Sequence, residues 1–117
     1  MARLMDIQPI EDHKFQFTRN WFRNRNMQTF REYVHLQWTG RPMVYLELGV
    51  FEGMSLVWML QYVLDHPDSR AVGVDPWLMT RKLDENTMTE VMVRAYRNLH
   101  PWKSHPVGSD LWKGWFV

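Results

Sequence analysis

The sequence predicts a small α/β fold with parallel strands, and two observations lead to this class. An apolar run that starts at Met43 reads as a buried strand, and a glycine-containing turn and apolar residues at helical spacing follow it as far as Leu64. A second short buried run, residues 70–75, comes after a proline-containing stop and ends in an acid. Strand, turn, helix and strand in this order form a βαβ unit, in which ligands bind at the carboxyl ends of the strands.

The turn after the first strand has the pattern Glu-x-Gly-x-x-x-Gly, which contains Glu47, Gly49 and Gly53. Glycine lacks a Cβ, so its backbone can adopt a positive φ and approach a ligand closely. The helix predicted from Ser55 directs free N–H groups back at the turn, which favours a small anionic ligand. The dinucleotide motif Gly-x-Gly-x-x-Gly is absent, because other residues occupy its later glycine positions.

The second strand ends at Asp75, 22 residues after Gly53. In nucleotide-binding βαβ units a carboxylate at about this offset reaches the ribose hydroxyls. A carboxylate suits this role because it can accept hydrogen bonds from both vicinal hydroxyls. The glycine turn and this acid together predict a nucleotide-like ligand.

Two runs carry a resemblance to a known family: Y-L-E-L-G-V-F-E-G-M-S at residues 45–55 and H-P-D-S-R-A-V-G-V-D-P-W at residues 66–77. They resemble the cofactor-binding half of class I S-adenosylmethionine-dependent methyltransferases. More narrowly, these runs and the segments F-T-R-N-W-F and G-R-P before them are similar to a small-molecule methyltransferase-like family of bacteria and phages. The resemblance extends from about Phe17 to Trp102. It implies a partial Rossmann-like domain with a doubly wound parallel sheet, truncated after about two to three strands.

The resemblance also implies a cofactor, S-adenosyl-L-methionine, and roles for individual residues. Glu47, Gly49 and Gly53 would line the methionine end of the cofactor. Asp75 would take the ribose hydroxyls, and Trp77 would lie near the adenine. The methyl acceptor is expected to be a small molecule, and the pattern assigns no catalytic residue. The complete predicted cofactor-binding set is Glu47, Gly49, Val50, Phe51, Gly53, Ser55, Asp75, Pro76 and Trp77.

Composition restricts the classes of partner. A length of 117 residues suits one domain, and the net charge of +1 argues against binding to a nucleic-acid backbone. The absence of cysteine excludes disulfides and thiolate chemistry, and the five histidines are scattered, so no metal site is predicted. No apolar run has the length of a signal peptide or a membrane span, so we expect a cytoplasmic protein without a membrane partner.

Residues 1–42 are predicted to form a lead-in, irregular over residues 1–16, and a helix; residues 43–117 form the cofactor-binding part. The lead-in contains four aromatic residues interleaved with arginines, a pattern of single-stranded nucleic-acid sites or of rings that cover a sheet edge. The near-neutral charge favours the second interpretation. The helix is predicted from Asn26. The aromatic residues are Phe15, Phe17, Trp21 and Phe22, and the apolar stripe of the helix is Met27, Phe30, Tyr33, Val34 and Trp38.

Side chains near the turn and the second strand leave alternatives open. Glu52 can face a ligand or solvent, and solvent is slightly favoured. Trp77 can fill the sheet edge or form a wall for adenine. Beyond it, Thr-Met-Thr-Glu at residues 87–90 fits a capping box, so a third helix is predicted from Asn86 or Thr87. Its buried stripe is Met88, Val91, Met92, Ala95, Tyr96 and Leu99.

The carboxyl-terminal part reads poorly as a strand, although residues 111–117 could form a short one. Two or three parallel strands leave an open sheet edge with unpaired backbone groups. We therefore expect a fragment, a truncated reading frame, or a subunit whose sheet is completed by a second copy or another partner. Function is correspondingly open among three alternatives: a methyltransferase or its cofactor-binding half, a non-catalytic interaction module that keeps half of the fold, and another nucleotide-binding Rossmann protein.

Overall fold

The computed structural model describes residues 15–19, 21–22, 25–80, 82–103 and 108–114. They contain a parallel sheet of three strands in the order β1-β2-β3. The α/β class and a count of two to three strands are therefore confirmed. The predicted lead-in over residues 1–14 and the end of the chain after residue 114 lie outside the described residues. The strands are β1 Val44–Leu48, β2 Arg70–Asp75 and β3 Gly108–Lys113.

Two helices connect the strands. Helix α3, Met54–Tyr62, lies between β1 and β2 in the chain, and helix α4, Glu85–Leu99, lies between β2 and β3. Because both crossovers step in the same direction along the sheet and such crossovers are right-handed, both helices cover the same face. Burial on β2 agrees, since Ala71, Gly73 and Asp75 are buried, whereas Val72 and Val74 are partly buried and Arg70 is exposed. The helices are α1 Arg25–Phe30, α2 Leu36–Trp38, α3 Met54–Tyr62 and α4 Glu85–Leu99, with a 3₁₀ turn at His100–Lys103.

The opposite face of β1 is exposed. Val44, Leu46 and Leu48 are 74%, 58% and 52% exposed, and they alternate along the strand, so all three lie on one face. Within the described part of the chain, β1 pairs with β2 alone. The structure therefore combines a free strand edge with an apolar, uncovered face, the feature that the small number of predicted strands implied.

The core lies between the sheet and α3, whose residues Leu56 to Leu60 are all buried. Side chains from the turn and from α3 pack closely against Gly73 on the central strand. A Cβ at this position would lie 2.7 Å from the Val50 side chain and 2.9 Å from that of Leu56. Any larger residue at this position would force the side chains of Val50 and Leu56 to shift.

The helix predicted from Asn26 is present from Arg25 and continues through a π-helical segment, Arg31–His35, into α2. Part of its predicted stripe, Met27, Phe30 and Val34, packs against the core. Tyr33 and Trp38 are exposed, so the prediction is wrong for them. A π-helical turn contains an extra residue, which rotates the following side chains around the axis, and no local pattern announces it.

Two boundaries differ from the sequence predictions. α4 begins at Glu85, because the side chain of Asp84 accepts a hydrogen bond of 2.7 Å from the Thr87 N–H and caps the helix. The predicted capping box at residues 87–90 is therefore wrong. The predicted stripe of α4 is buried at four positions and partly buried at Met92, but Tyr96 is exposed, so the prediction is wrong for Tyr96. β3 begins at Gly108 rather than near Leu111, because parallel pairing with β2 starts there.

Candidate functional site

The glycine turn leads from the carboxyl end of β1 into α3. Gly49 and Gly53 have φ values of 86° and 88°, which favour glycine, and Phe51 between them has φ 55°. Gly53 is the N-cap of α3, and its N–H donates to the Val50 carbonyl at 2.9 Å. The predicted site residues of the turn thus form one loop, and the first N–H groups of α3 face it.

Asp75 fastens this loop to the end of β2. Its Oδ2 accepts hydrogen bonds from the Val50 and Phe51 N–H groups, each at 2.8 Å. Its Oδ1 accepts a third, of 2.7 Å, from the Trp77 N–H. The side chain is nearly buried, with the residue 9% exposed. The acid that the sequence assigned to ribose hydroxyls is therefore bonded to three backbone donors of the protein itself.

Trp77 also holds the loop, through a hydrogen bond from its side chain to the Phe51 backbone. Its indole N–H donates to the Phe51 carbonyl at 2.8 Å, and its backbone has a φ of 45°. Only 4% of the residue is exposed, so the ring belongs to the core. Of the two interpretations of Trp77, the structure favours the ring that fills the sheet edge. Its neighbour Pro76 is partly buried.

Glu47 lies near the end of β1 and is buried, with 8% of the residue exposed. Its Oε1 accepts hydrogen bonds from the Tyr45 hydroxyl at 2.8 Å and the Ser55 hydroxyl at 2.7 Å. Its Oε2 is buried and has no partner among the described residues. Burial raises the pKa of Glu47 and the nearby charge of Asp75 adds to the rise, against the lowering by the Ser55 and Tyr45 hydrogen bonds. Glu47 is therefore linked by a hydrogen bond to Ser55, the second residue of α3.

Glu52 is buried, 2% exposed, so the expectation that it faces solvent is wrong. Its carboxylate accepts hydrogen bonds from the Thr18 N–H at 2.8 Å and the Thr18 hydroxyl at 2.7 Å, and it pairs with the Arg94 guanidinium. Burial works to raise the pKa of Glu52, but these hydrogen bonds outweigh it, so the pKa lies below the usual value. An ionised acid inside the turn therefore holds the amino-terminal segment in place.

We call residues 15–19 the strap, because this segment crosses the turn and is bonded to it. Besides Glu52, the buried Asn98 of α4 holds it: the Gln16 N–H donates to Asn98 Oδ1 at 2.8 Å, and Asn98 Nδ2 donates to the Gln16 carbonyl at 3.0 Å. Asn98 Nδ2 also donates to the Glu52 carbonyl at 2.9 Å. Strap, turn and α4 are thus joined by two buried side chains.

Two adjacent cavities open at the turn. The first, which we call the turn groove, has a volume of about 250 Å³, and the second, the aromatic cavity, about 370 Å³. They share the side chains of Arg19, Trp21 and Phe51, so they are neighbouring parts of one depression. The other residues that line the turn groove are Phe22, Asn26, Gly49, Val50, Glu52, Met54 and Ser55, and those of the aromatic cavity are Thr80, Lys82, Leu83 and Met88.

Sequence reasoning missed Trp21 as a site residue. Its ring centroid lies 4.3 Å from that of Phe51. The other three rings of the predicted aromatic cluster pack against the fold: Phe22 contacts Trp58, Phe15 contacts Trp102, and Phe17 stacks on Phe15. The interpretation as rings that cover the fold therefore fits these three, whereas Trp21 lines the site. Only the folding back of the strap brings it there, and no local pattern carries that information.

The described residues contain no group of three or more His, Asp or Glu side chains placed to hold a metal ion. In this part of the chain, no helix has the length and apolar character that crossing a bilayer requires. Neither family models, nor curated proteins, nor solved structures match the chain. The site must therefore be interpreted from its own chemistry.

Proposed function

We propose that the chain binds S-adenosylmethionine across the two cavities and forms the cofactor-binding part of a methyltransferase that acts on a small molecule. The observation that carries this proposal is that a groove lined by both polar and apolar side chains adjoins a chiefly apolar cavity at the carboxyl edge of a parallel sheet. S-adenosylmethionine has the matching shape, a charged amino-acid end and a flat aromatic end. A Rossmann-like ancestry of the domain belongs to the same proposal.

The turn groove suits the amino-acid end of the cofactor. The start of α3 contributes backbone N–H groups and a partial positive charge, and Arg19 and Asn26 line the same groove. These groups favour a carboxylate. The buried carboxylate of Glu47 behind Ser55 favours a positive charge nearby. An amino acid with both charges satisfies the two preferences.

The aromatic cavity suits the adenosine end. Its lining is chiefly the apolar side chains of Trp21, Phe51, Leu83 and Met88. Cofactor sites are usually of this kind, apolar and aromatic with few polar groups. Arg19, Trp21 and Phe51 line both cavities, so one ligand can extend from the turn groove into the aromatic cavity.

When bound, S-adenosylmethionine supplies a methyl group on a positively charged sulfur for direct displacement by an acceptor oxygen or nitrogen. The contribution of this chain is to hold and orient the cofactor, and positioning of reactants accounts for much of the acceleration in such transfers. The loop conformation that positions it is fixed in advance by Asp75 and Trp77.

The first experiment is isothermal titration of the purified chain with S-adenosylmethionine, with the mass of the same sample measured by light scattering. We expect micromolar binding, weakened about 5- to 10-fold by Ser55→Ala, which removes a hydroxyl from the groove. Thr29→Ala is the matched control, because Thr29 is an exposed hydroxyl residue on α1. A folded wild-type chain that does not bind the cofactor would show the proposal to be wrong.

A second candidate function is supported by the uncovered face of β1: an interaction module that binds a second copy or another polypeptide there. Three exposed apolar side chains, on a strand that among the described residues pairs with β2 alone, are typical of a surface that another chain covers. For self-association, Leu46→Thr would lower the mass by light scattering without changing cofactor binding. A monomeric mass for the wild type at all concentrations would remove the self-association form of this candidate.

A further inference from the structure

Trp21 lines both cavities, together with Arg19 and Phe51. Its side chain is 61% exposed, although its ring lies 4.3 Å from that of Phe51 at an interplanar angle of 32°. The ring thus has one side against the turn and a large surface that a ligand can still cover. Trp77, by contrast, is buried, and the residues that line the two cavities do not include it.

The backbone around Trp21 is held on both sides. On its amino-terminal side, the strap is bonded to Glu52 through Thr18 and Arg19. On its carboxyl-terminal side, Asn26 Nδ2 donates a hydrogen bond of 3.0 Å to the Trp21 carbonyl. A residue that is already ordered before the ligand binds loses less conformational entropy on binding, which favours affinity. An exposed ring held in this way is suited to recognition.

The aromatic cavity recognises a ring chiefly by its faces. The hydroxyl of Thr80, one of its few polar groups, already accepts hydrogen bonds from the Lys82 N–H at 3.2 Å and the Leu83 N–H at 3.1 Å. Leu83, Met88 and the two aromatic rings form most of the remaining lining, and Arg19 and Lys82 are its other polar residues. Stacking on aromatic side chains stabilises any base, because every base has an aromatic face.

We infer that Trp21, rather than Trp77, is the aromatic residue that contacts the adenine ring of the bound cofactor and sets the preference for ligands with a flat ring. This inference rests on the proposed function. It assigns the specificity for the adenosine end to the amino-terminal segment and leaves the glycine turn to hold the amino-acid end. Trp77 keeps a supporting role through its hydrogen bond to Phe51.

The test compares the wild-type chain with Trp21→Ala, Trp21→Phe and Trp38→Ala by calorimetric titration with S-adenosylmethionine and with adenosine. Trp38 is the matched control, because it is also exposed but lies on α2 beside Arg41. We expect Trp21→Ala to weaken both ligands about 10-fold or more and Trp21→Phe to recover most of the loss. Trp38→Ala should match the wild type. As an independent reading of stacking, the purine absorption band should lose intensity on binding to the wild type but not to Trp21→Ala.

The outcomes separate the inference from the proposed function. If the wild type binds S-adenosylmethionine and Trp21→Ala binds it equally well, the inference is overturned and the proposed function stands. Equal losses in the Trp21 and Trp38 alanine variants also overturn it, because the effect is then general. If the folded wild type does not bind the cofactor, the proposed function fails and the inference fails with it.

Discussion

Replacing Asp75 by alanine should destabilise the fold itself, and the structure gives the magnitude. The substitution leaves three backbone donors without acceptors, the N–H groups of Val50, Phe51 and Trp77. Val50 and Trp77 are buried, whereas Phe51 is only partly buried, so water can replace the lost acceptor at one of the three. At about 1–3 kcal/mol for each buried unsatisfied donor, the free energy of unfolding should fall by about 3–5 kcal/mol. Domains of this size are stable by about 5–15 kcal/mol, so the loss is severe.

Urea unfolding, followed by tryptophan fluorescence and by circular dichroism, measures this loss. Asp68→Ala is the control, because the Asp68 side chain is 82% exposed and its removal should change stability by less than about 0.5 kcal/mol. A loss below about 1 kcal/mol for Asp75→Ala would refute the reasoning, since the carboxylate would then not hold the loop. The expected result also affects binding studies: lost cofactor binding in this variant would report a collapsed turn as readily as a missing ribose contact.

Three further predictions concern buried groups. Burial and the charge of Asp75 raise the pKa of Glu47. The stability contributed by Glu47 therefore falls as the pH rises above the pKa that this group has in the unfolded chain. Glu47→Gln should unfold at a higher urea concentration than the wild type at pH 7, and the difference in midpoint should be smaller at pH 4. The pKa of Glu52 is lowered, so its stabilisation is present above its unfolded pKa and lost as pH falls through the folded one. Glu52→Gln should cost about 2–3 kcal/mol at pH 7 and flatten the acid limb of the stability curve; an unchanged acid limb would contradict this. Gly73→Ala should cost about 1–3 kcal/mol in the same assay, because its Cβ would contact Val50, Leu56 and Leu111; an unchanged midpoint would show that these side chains can move aside.

The elements that the sequence predicted are those with local signals. The apolar run of β1, the glycine turn and the stripe of α4 each depend on neighbouring residues, and the structure contains all three. β3 has no clear local signal, because its residues are mixed in character and pairing with β2 defines it. The start of α4 differs from the prediction because two capping patterns lie three residues apart, and the one that begins at Asp84 forms.

The site was predicted less completely than the fold, because its parts come from distant segments. The turn and the acid at the end of β2 do meet, as their spacing implied. What spacing could not show is that Asp75 is bonded to the turn or that Glu52 turns inward to the strap. Trp21 and Phe51 are 30 residues apart in the chain, and only tertiary structure brings them together.

The two side chains that hold the strap have a consequence for where the domain begins. Removing residues 1–42, which the sequence treats as a separate lead-in, would take away the partners that Thr18 and Gln16 provide to Glu52 and Asn98. The ionised carboxylate of Glu52 in the glycine turn and the buried amide of Asn98 near the carboxyl end of α4 would then lose hydrogen bonds. The minimal folding unit therefore includes the strap. A shortened chain that starts at Met43 should be less soluble than the full chain and should unfold less cooperatively. The boundary that matters for stability is set by these buried polar side chains, and it lies amino-terminal to the first strand by nearly 30 residues.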